Sequence, residues 1–217
     1  MYLVHFTQFT DEFTYTTLWH QLDIDVMIFV HMLQSAFWMN PETAIKSAYR
    51  STDKIILENS TRLGPGGSTA VTAIVVDGKD LWIANVGDSR AVLCERGAAN
   101  QLTVDHEPHL ERKYIEKRGG FVTILPGDVP RVNGQLAVAR AFGDQSLKAH
   151  LSSEPDVRHV PIDSSMEFVI LASDGLWKVC YLTSYSLVVF ACLCGIYFLN
   201  IEIKFVGVGN FVCSTHF

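Results

Sequence analysis

Residues 67–97 read GSTAVTAIVVDGKDLWIANVGDSRAVLCERG, and the fold turns on them. Ser68 to Val76 is a run of small, β-branched and apolar residues, the composition of a strand. Asp77-Gly78 supplies the left-handed backbone that a tight hairpin turn requires, and Leu81 to Val86 brings the chain back. After Gly87-Asp88-Ser89 a third strand is expected from Arg90 to Cys94, turning at Arg96-Gly97. The stretch as a whole predicts an antiparallel meander.

Upstream, the period becomes helical. Asn40 is placed to cap, Pro41 suits the first helical position, and Glu42 favours the positive end of the helix dipole. Ala44, Ile45, Ala48, Tyr49, Thr52, Ile55 and Ile56 recur at helical spacing and form one buried stripe, ended by Leu63-Gly64-Pro65-Gly66-Gly67. Downstream, Glu111 to Arg118 predicts a short charged helix stopped by Gly119-Gly120. Further strands are expected at Phe121 to Ile124, Val157 to Pro161 and Phe168 to Ala172, the last apolar enough to be central. Asp23 to Leu33 admits either a strand or a buried helix, because its periodicity favours neither.

The 217 residues divide by composition into three parts: a divergent segment 1–39, an ordinary soluble domain 40–179, and an apolar tail 180–217 in which Glu202 and Lys204 are the only charged side chains. Tyr181 to Leu199 carries no charge and is long enough for a membrane-spanning helix, with a strand-rich or disordered appendage as the alternative. The net charge of -6 and the lack of any Lys/Arg run argue against nucleic acid as a partner. The cysteines have no zinc-site spacing and read as free thiols in a reducing compartment. A cytoplasmic or nuclear chain is therefore expected, or a membrane-anchored one if the tail spans. No feature of the sequence fixes an oligomeric state.

Two acidic residues stand where chemistry is often done. Leu81 to Gly87 is an apolar strand that delivers Asp88 at its end, and Phe168 to Ser173 does the same for Asp174, followed at once by Gly175. Carboxylates at strand ends are held rigidly, and a neighbouring glycine lets a ligand approach closely. Two of them converging at one sheet edge would repel unless a cation sat between them, and hard oxygen ligands favour Mg2+ or Mn2+ over zinc. The plain alternative is a pair of turn-forming Asp residues at strand-to-loop junctions. His106 and His109, with Pro108 between them, read as loop histidines. Arg140 and Asp144 read as turn or salt-bridge contacts, and Trp82 and Trp177 as core aromatics.

Five runs in register give these residues a context: Gly67-Ser68-Thr69-Ala70, Ala84-Asn85-Val86-Gly87-Asp88-Ser89-Arg90-Ala91, Asp105-His106-Glu107-Pro108, Ala139-Arg140-Ala141-Phe142-Gly143-Asp144, and Leu171-Ala172-Ser173-Asp174-Gly175-Leu176-Trp177. In order and spacing they resemble the type 2C (PPM) metal-dependent serine/threonine protein phosphatases, most closely plant members. The resemblance implies an α+β fold, a two-sheet antiparallel β-sandwich flanked by helices and incomplete here at both ends. It implies metal-assisted hydrolysis of phosphoserine or phosphothreonine, with phosphoproteins as substrates and Mg2+ or Mn2+ as cofactor. Asp174 matches a ligand of the core metals, and Asp88 a ligand of a third, weaker one.

The chain also departs from that pattern. The family's Asp-Gly-His motif has no counterpart before Gly64, the first glycine, and its phosphate-binding Arg has none before Arg50. Its late Asp-Asn pair has no match, since no Asp follows Asp174. Lys178 stands where many members carry an Asp, adding repulsion toward a metal. Metal binding is expected to be weakened in consequence. Three readings follow: an active phosphatase, a non-catalytic module that binds phosphatase partners or substrates, and a membrane-anchored protein with a soluble phosphatase-like part.

Overall fold

The ten residues Gly67–Val76 are small, β-branched or apolar on both faces, and nine of them are buried. Such a strand needs cover from two sides, and the architecture provides it. The computed structural model describes residues 2–9, 36–179 and 213–214. In chain order, β1 (Tyr2–Phe9) is followed by α1 (Ala36–Met39), α2 (Pro41–Glu58) and α3 (Ser60–Leu63). Then come β2 (Gly67–Val76), β3 (Asp80–Val86), β4 (Arg90–Glu95) and β5 (Ala98–Gln101). Beyond α4 (Arg112–Lys117) lie the short strands β6 (Val122–Thr123), β7 (Arg131–Val132) and β8 (Phe142–Gly143). The described chain closes with β9 (Asp156–Pro161), β10 (Met166–Ala172), α5 (Asp174–Val179) and β11 (Cys213–Ser214).

Among the described residues the larger sheet runs β11-β1-β2-β3-β9, with β8 joined to the first residues of β2, and the smaller runs β10-β4-β5. The named pairings in both are antiparallel. Val71, Ala73 and Val75 of β2 and Leu81 and Ile83 of β3 meet Ala91, Leu93, Val169 and Leu171 of the smaller sheet in one buried cluster. The alternate residues Ala70 and Ile74 face the other way, with Ala84 and Val86, and take Ile45, Ala48, Tyr49 and Ile56 of α2. Val92, Cys94, Phe168 and Ile170 on the far side of the smaller sheet are covered by Leu176 and Trp177 of α5, whose indole N–H donates to the Ala172 carbonyl at 2.8 Å. Helix, sheet, sheet and helix thus stack as the α+β sandwich that the family resemblance implies. A fourth cluster, with Ile115, Val122, Val132, Leu147 and Leu151 at its centre, organises the segment between β5 and β9.

Helix α2 forms for the expected reasons. The Asn40 side chain accepts from the Thr43 N–H at 3.1 Å, and Pro41 sits at its first turn. It ends earlier than expected, at Asn59, whose backbone N–H closes on the last carbonyls; the short α3 then runs to Gly64 (φ 98°). Ile55 is only half-buried, while Asp53 is buried and bound to Lys148 Nζ at 2.8 Å and to the Gly143 N–H at 2.9 Å. Burial pulls the Lys148 pKa down, with Asp53 opposing.

The expected meander is corrected. β2 and β3 pair as a hairpin, but β4 leaves for the other sheet, where it lies between β10 and β5. The Gly87–Ser89 turn is therefore a crossover between sheets. β10 is buried as expected but ends the described part of its sheet rather than standing at its centre. Trp177 is a core residue at 8% exposure, whereas Trp82 is half-buried and stacks on His159 with ring centroids 4.4 Å apart. Tyr2–Phe9, which the sequence left unassigned, pairs with β2 along its length. Asp23 to Leu33 and Tyr181 to Leu199 lie outside the described residues; among the described residues no helix is long and apolar enough to cross a membrane.

The inter-sheet core should carry the stability. Leu171→Ala is expected to cost about 2–5 kcal/mol in urea unfolding. Leu125→Ala, at a side chain 59% exposed, should stay within about 0.5 kcal/mol. Equal costs would show that the cluster between the sheets is not the principal core.

Candidate functional site

Asp88 and Asp174 enter from different sheets. Asp88 follows β3 on the crossover turn, and Asp174 follows β10 as the first residue of α5. The structure places them close enough to interact. Burial pushes the Asp88 carboxyl up from 3.8 to about 6, and the charge of Asp174 pushes in the same direction. Asp174 Oδ2 accepts from Lys178 Nζ at 2.5 Å, one helical turn on. That ammonium is 75% exposed against 26% for the carboxylate, so the lysine reaches in from the surface.

The glycine arguments separate. Gly87 has φ 98°, and a Cβ there would stand 2.3 Å from Thr69 Cγ2. A side chain at 87 therefore meets both backbone strain and a clash. Gly175 is exposed in the first turn of α5, and a Cβ there would meet only an ordinary contact with Ser173 Oγ at 3.7 Å. The close approach expected beside Asp174 is not required by this backbone.

The turn carrying Asp88 is held by groups that sequence reasoning assigned no such role. The Gly87 N–H donates to His106 Nδ1 at 3.0 Å, and the His106 N–H returns a bond to the Gly87 carbonyl, also at 3.0 Å. With Nδ1 accepting, the neutral ring carries its proton on Nε2. The Asn85 amide donates to the same Gly87 carbonyl at 3.2 Å. Thr69 and Ser89 hydroxyls meet at 2.9 Å across the turn, and Arg90 forks onto Asp105 at 2.6–3.1 Å. His106 is thus a loop histidine, as expected, but a buried and structural one at 3% exposure. Its Nε2 stands 3.2 Å from Asp156 Oδ2, near enough to act electrostatically though off the direction of a well-formed hydrogen bond. That contact, and Arg140 after it, hold the Asp156 carboxyl down at about 2. Arg140 also binds Glu111 at 2.6 Å, the salt-bridge role expected of it. Asp144, with φ 51°, lies beside Gly67, where a Cβ would meet its carboxylate at 2.2 Å.

Asn85 carried a readable signal. It shares strand parity with Leu81 and Ile83, so a polar side chain was due on an inward face. Among the described residues, no group of three or more His, Cys, Asp or Glu side chains gathers to hold a metal ion. What the site offers is a pair of carboxylates at strand ends, one of which ionises only as pH rises through about 6.

The chain as a whole is similar to known proteins. The protein phosphatase 2C family model matches residues 10–189. The chain is 85% identical over 145 residues to probable protein phosphatase 2C 44 of Oryza sativa subsp. japonica, covering 66% of this chain and 45% of that protein. It is 66% identical over 143 residues to probable protein phosphatase 2C 58 of Arabidopsis thaliana, covering 66% and 50%. The chain thus spans about half the length of the curated relatives it matches. Among solved structures, a C. elegans sex determining protein aligns with TM-score 0.76 and 27% identity over 87% of this chain and 47% of the other. Serine-threonine phosphatase 2C from Toxoplasma gondii aligns with TM-score 0.74 and 23% identity over 89% and 75%, a likeness of fold alone.

The raised Asp88 pKa has a measurable consequence. A carboxylate with a folded pKa above its unfolded value opposes folding when ionised and ceases to do so once protonated. In metal-free buffer, Asp88→Asn should therefore raise the thermal midpoint at pH 7.5. Its advantage should shrink as pH falls through about 6 and vanish near 3.8. A difference independent of pH would show that Asp88 is not held against its charge.

Proposed function

The chain belongs to the protein phosphatase 2C family, which is metal-dependent in general, and from that premise we propose that it serves to hydrolyse phosphoserine and phosphothreonine in phosphoproteins with Mg2+ or Mn2+. The observation that supports this most directly is the pairing of Asp88 with Asp174. The carboxylates follow strands of two different sheets, and the charge of Asp174 adds to burial in raising the Asp88 pKa. The donor set is hard oxygen, which suits magnesium or manganese. A cation there would offset both the burial and the charge of Asp174 that together raise the Asp88 pKa to about 6. Asp174 and Asp88 are therefore the side chains we assign as metal ligands, Asp174 toward the core metals and Asp88 toward a third, weaker one.

Such a cation, when bound, supplies Lewis acidity for attack of water on a phosphate ester. The chain's own contributions are positional. Gly87 lets the backbone turn without a clash, and His106 and Asn85 fix the peptide that carries Asp88. Trp177 pins α5 to β10 through the Ala172 carbonyl, which sets where Asp174 begins its helix. Lys178 acts as a resident counterion: its exposed pair with Asp174 is worth little and is readily given up to a doubly charged ion.

The decisive assay is manganese-dependent phosphate release from a phosphothreonine peptide by the purified chain. Release is expected to need Mn2+ and to fall at least about a hundredfold in Asp174→Asn, the size of effect seen when a principal electrostatic group is removed. Release that survives in Asp174→Asn, or a folded sample with no release, would overturn the assignment of chemistry to this chain. Lys178→Ala should tighten Mn2+ binding by about two- to fivefold, the equivalent of a surface ion pair, measurable by calorimetric titration. Unchanged affinity would remove Lys178 from the site.

A further inference from the structure

The hairpin of β6 and β7 has two unlike faces. Val122 and Val132 turn inward onto Ile115, Leu147 and Leu151. Phe121, Ile124, Leu125 and Val129 do the opposite, each more than half exposed. Phe121 stands at the base, where its N–H meets Asn133 Oδ1 at 2.9 Å and its carbonyl accepts from the Asn133 N–H at 2.8 Å. The other three surround the tip, in which every residue from 124 to 129 is exposed. Aliphatic side chains gathered in water mark a contact surface. The tip also leaves few polar groups open. Pro126 and Pro130 have no N–H. The Asp128 N–H donates to the Leu125 carbonyl at 3.0 Å, and the Val129 N–H to Asp128 Oδ1 at 2.8 Å. Arg131 forks onto the Asp128 carboxylate at 2.7 and 3.1 Å, and its Nη1 donates to the Gln135 carbonyl at 2.8 Å. The acid of the tip is thus neutralised where it stands. A protein partner supplies acceptors and donors of its own, whereas hydrocarbon supplies none, so internal pairing of this kind suits a lipid phase.

The charge left open behind the hairpin is of one sign. Arg112 pairs with Glu116 at 3.3 Å, and Arg140 takes Glu111 at 2.6 Å. Lys113, Lys117 and Arg118 then have no carboxylate partner among the described residues. Arg118 rests on neutral groups, the Ala149 carbonyl at 2.8 Å and the ring and hydroxyl of Tyr114. All three cations are exposed on α4 or its C-terminal cap, and Gly119-Gly120 alone separates them from Phe121. In a chain of net charge -6 they make a local basic patch.

We infer that this hairpin docks on an anionic membrane surface, with Ile124, Leu125 and Val129 entering the boundary between headgroups and acyl chains and Lys113, Lys117 and Arg118 meeting lipid phosphates. Neither half suffices alone. A few aliphatic side chains bind a bilayer only marginally, and so do three cations, but the two together hold. The contact is peripheral and needs no spanning segment. It stands apart from the phosphatase reading, because none of its side chains belongs to the carboxylate site.

The test is co-sedimentation of the full chain with vesicles of phosphatidylcholine, alone or mixed with phosphatidylserine. Binding to the mixed vesicles is expected to exceed binding to phosphatidylcholine by at least about tenfold and to weaken as salt rises. Leu125→Ser with Val129→Ser, at positions outside the core clusters, should weaken it at least about tenfold. Lys113→Gln and Lys117→Gln should each cost about fivefold on the mixed vesicles. The tryptophan emission added by Leu125→Trp should be quenched by lipids brominated on their acyl chains. Binding unchanged by the serine pair would place the contact elsewhere in the chain, the apolar tail included, and would overturn the inference. Absence of quenching, or equal binding to both kinds of vesicle, would do the same. A folded chain that binds neither would also overturn it and turn attention to an acidic protein partner. Phosphate release does not enter any of these readouts, so their failure leaves the proposed function untouched.

Discussion

The structure depends on how one residue, Gly87, is held on both sides. The chain passes from the larger sheet to the smaller at Gly87–Ser89, and both the relative placement of the sheets and the position of Asp88 follow from that turn. His106 grips it by backbone and ring at once, accepting from the Gly87 N–H and donating to the Gly87 carbonyl. A turn fixed only by its own φ and ψ would be free to pivot; one whose donor and acceptor are both committed to a single buried residue is not. Thr69 leaves no room for a side chain at position 87, so the constraint is steric as well as polar. Ser89 and Arg90 extend it by binding Thr69 and Asp105.

From His106 the constraint passes outward. The His106 carbonyl accepts from the Ala139 N–H at 2.7 Å, and Asp156 and Arg140 link the imidazole to Glu111. The segment between β5 and β9 is thereby joined to the crossover turn and to the start of β9. Its own small cluster around Ile115 and Leu151 gives it a separate apolar centre. Lys148 then ties its far end to α2 through Asp53. Charge pairs of this kind are weak evidence for net stability, and here they link an accessory segment to a sandwich that has its own core.

The elements were largely legible in the sequence, because helical and extended periods survive in the order of side chains. Asn40-Pro41 announced α2, and Asp77-Gly78 announced the hairpin of β2 and β3. Partnership was less legible. Nothing in the alternation of Arg90 to Cys94 distinguishes a third meander strand from the centre of another sheet, since both bury two faces. Tyr2–Phe9 pairs with a strand some sixty residues away, a distance over which local pattern carries no register. At the candidate site, Asp88 and Asp174 could be singled out because strands visibly end at them and because five motifs stood in order. The clamp could not: a histidine that bonds to a backbone amide leaves no period, and Asp53 and Lys148 are too far apart in sequence to be read as a pair. Asn85 is the exception, its parity alone marking it as a polar group facing inward.

The two-sided burial of β2 has a cost during synthesis. Its hairpin partner β3 follows at once, but β9, which completes that edge of the sheet, begins at Asp156, eighty residues after Val76. The inner face waits still longer, for Val169 and Leu171. At translation rates of roughly 5–20 residues per second, the inner face of the most apolar strand stands partly uncovered for about five to nineteen seconds, until Leu171 is made. A nascent chain in that condition is a substrate for holding chaperones, and the cell's capacity to shelter it becomes part of what determines how much of the protein is made.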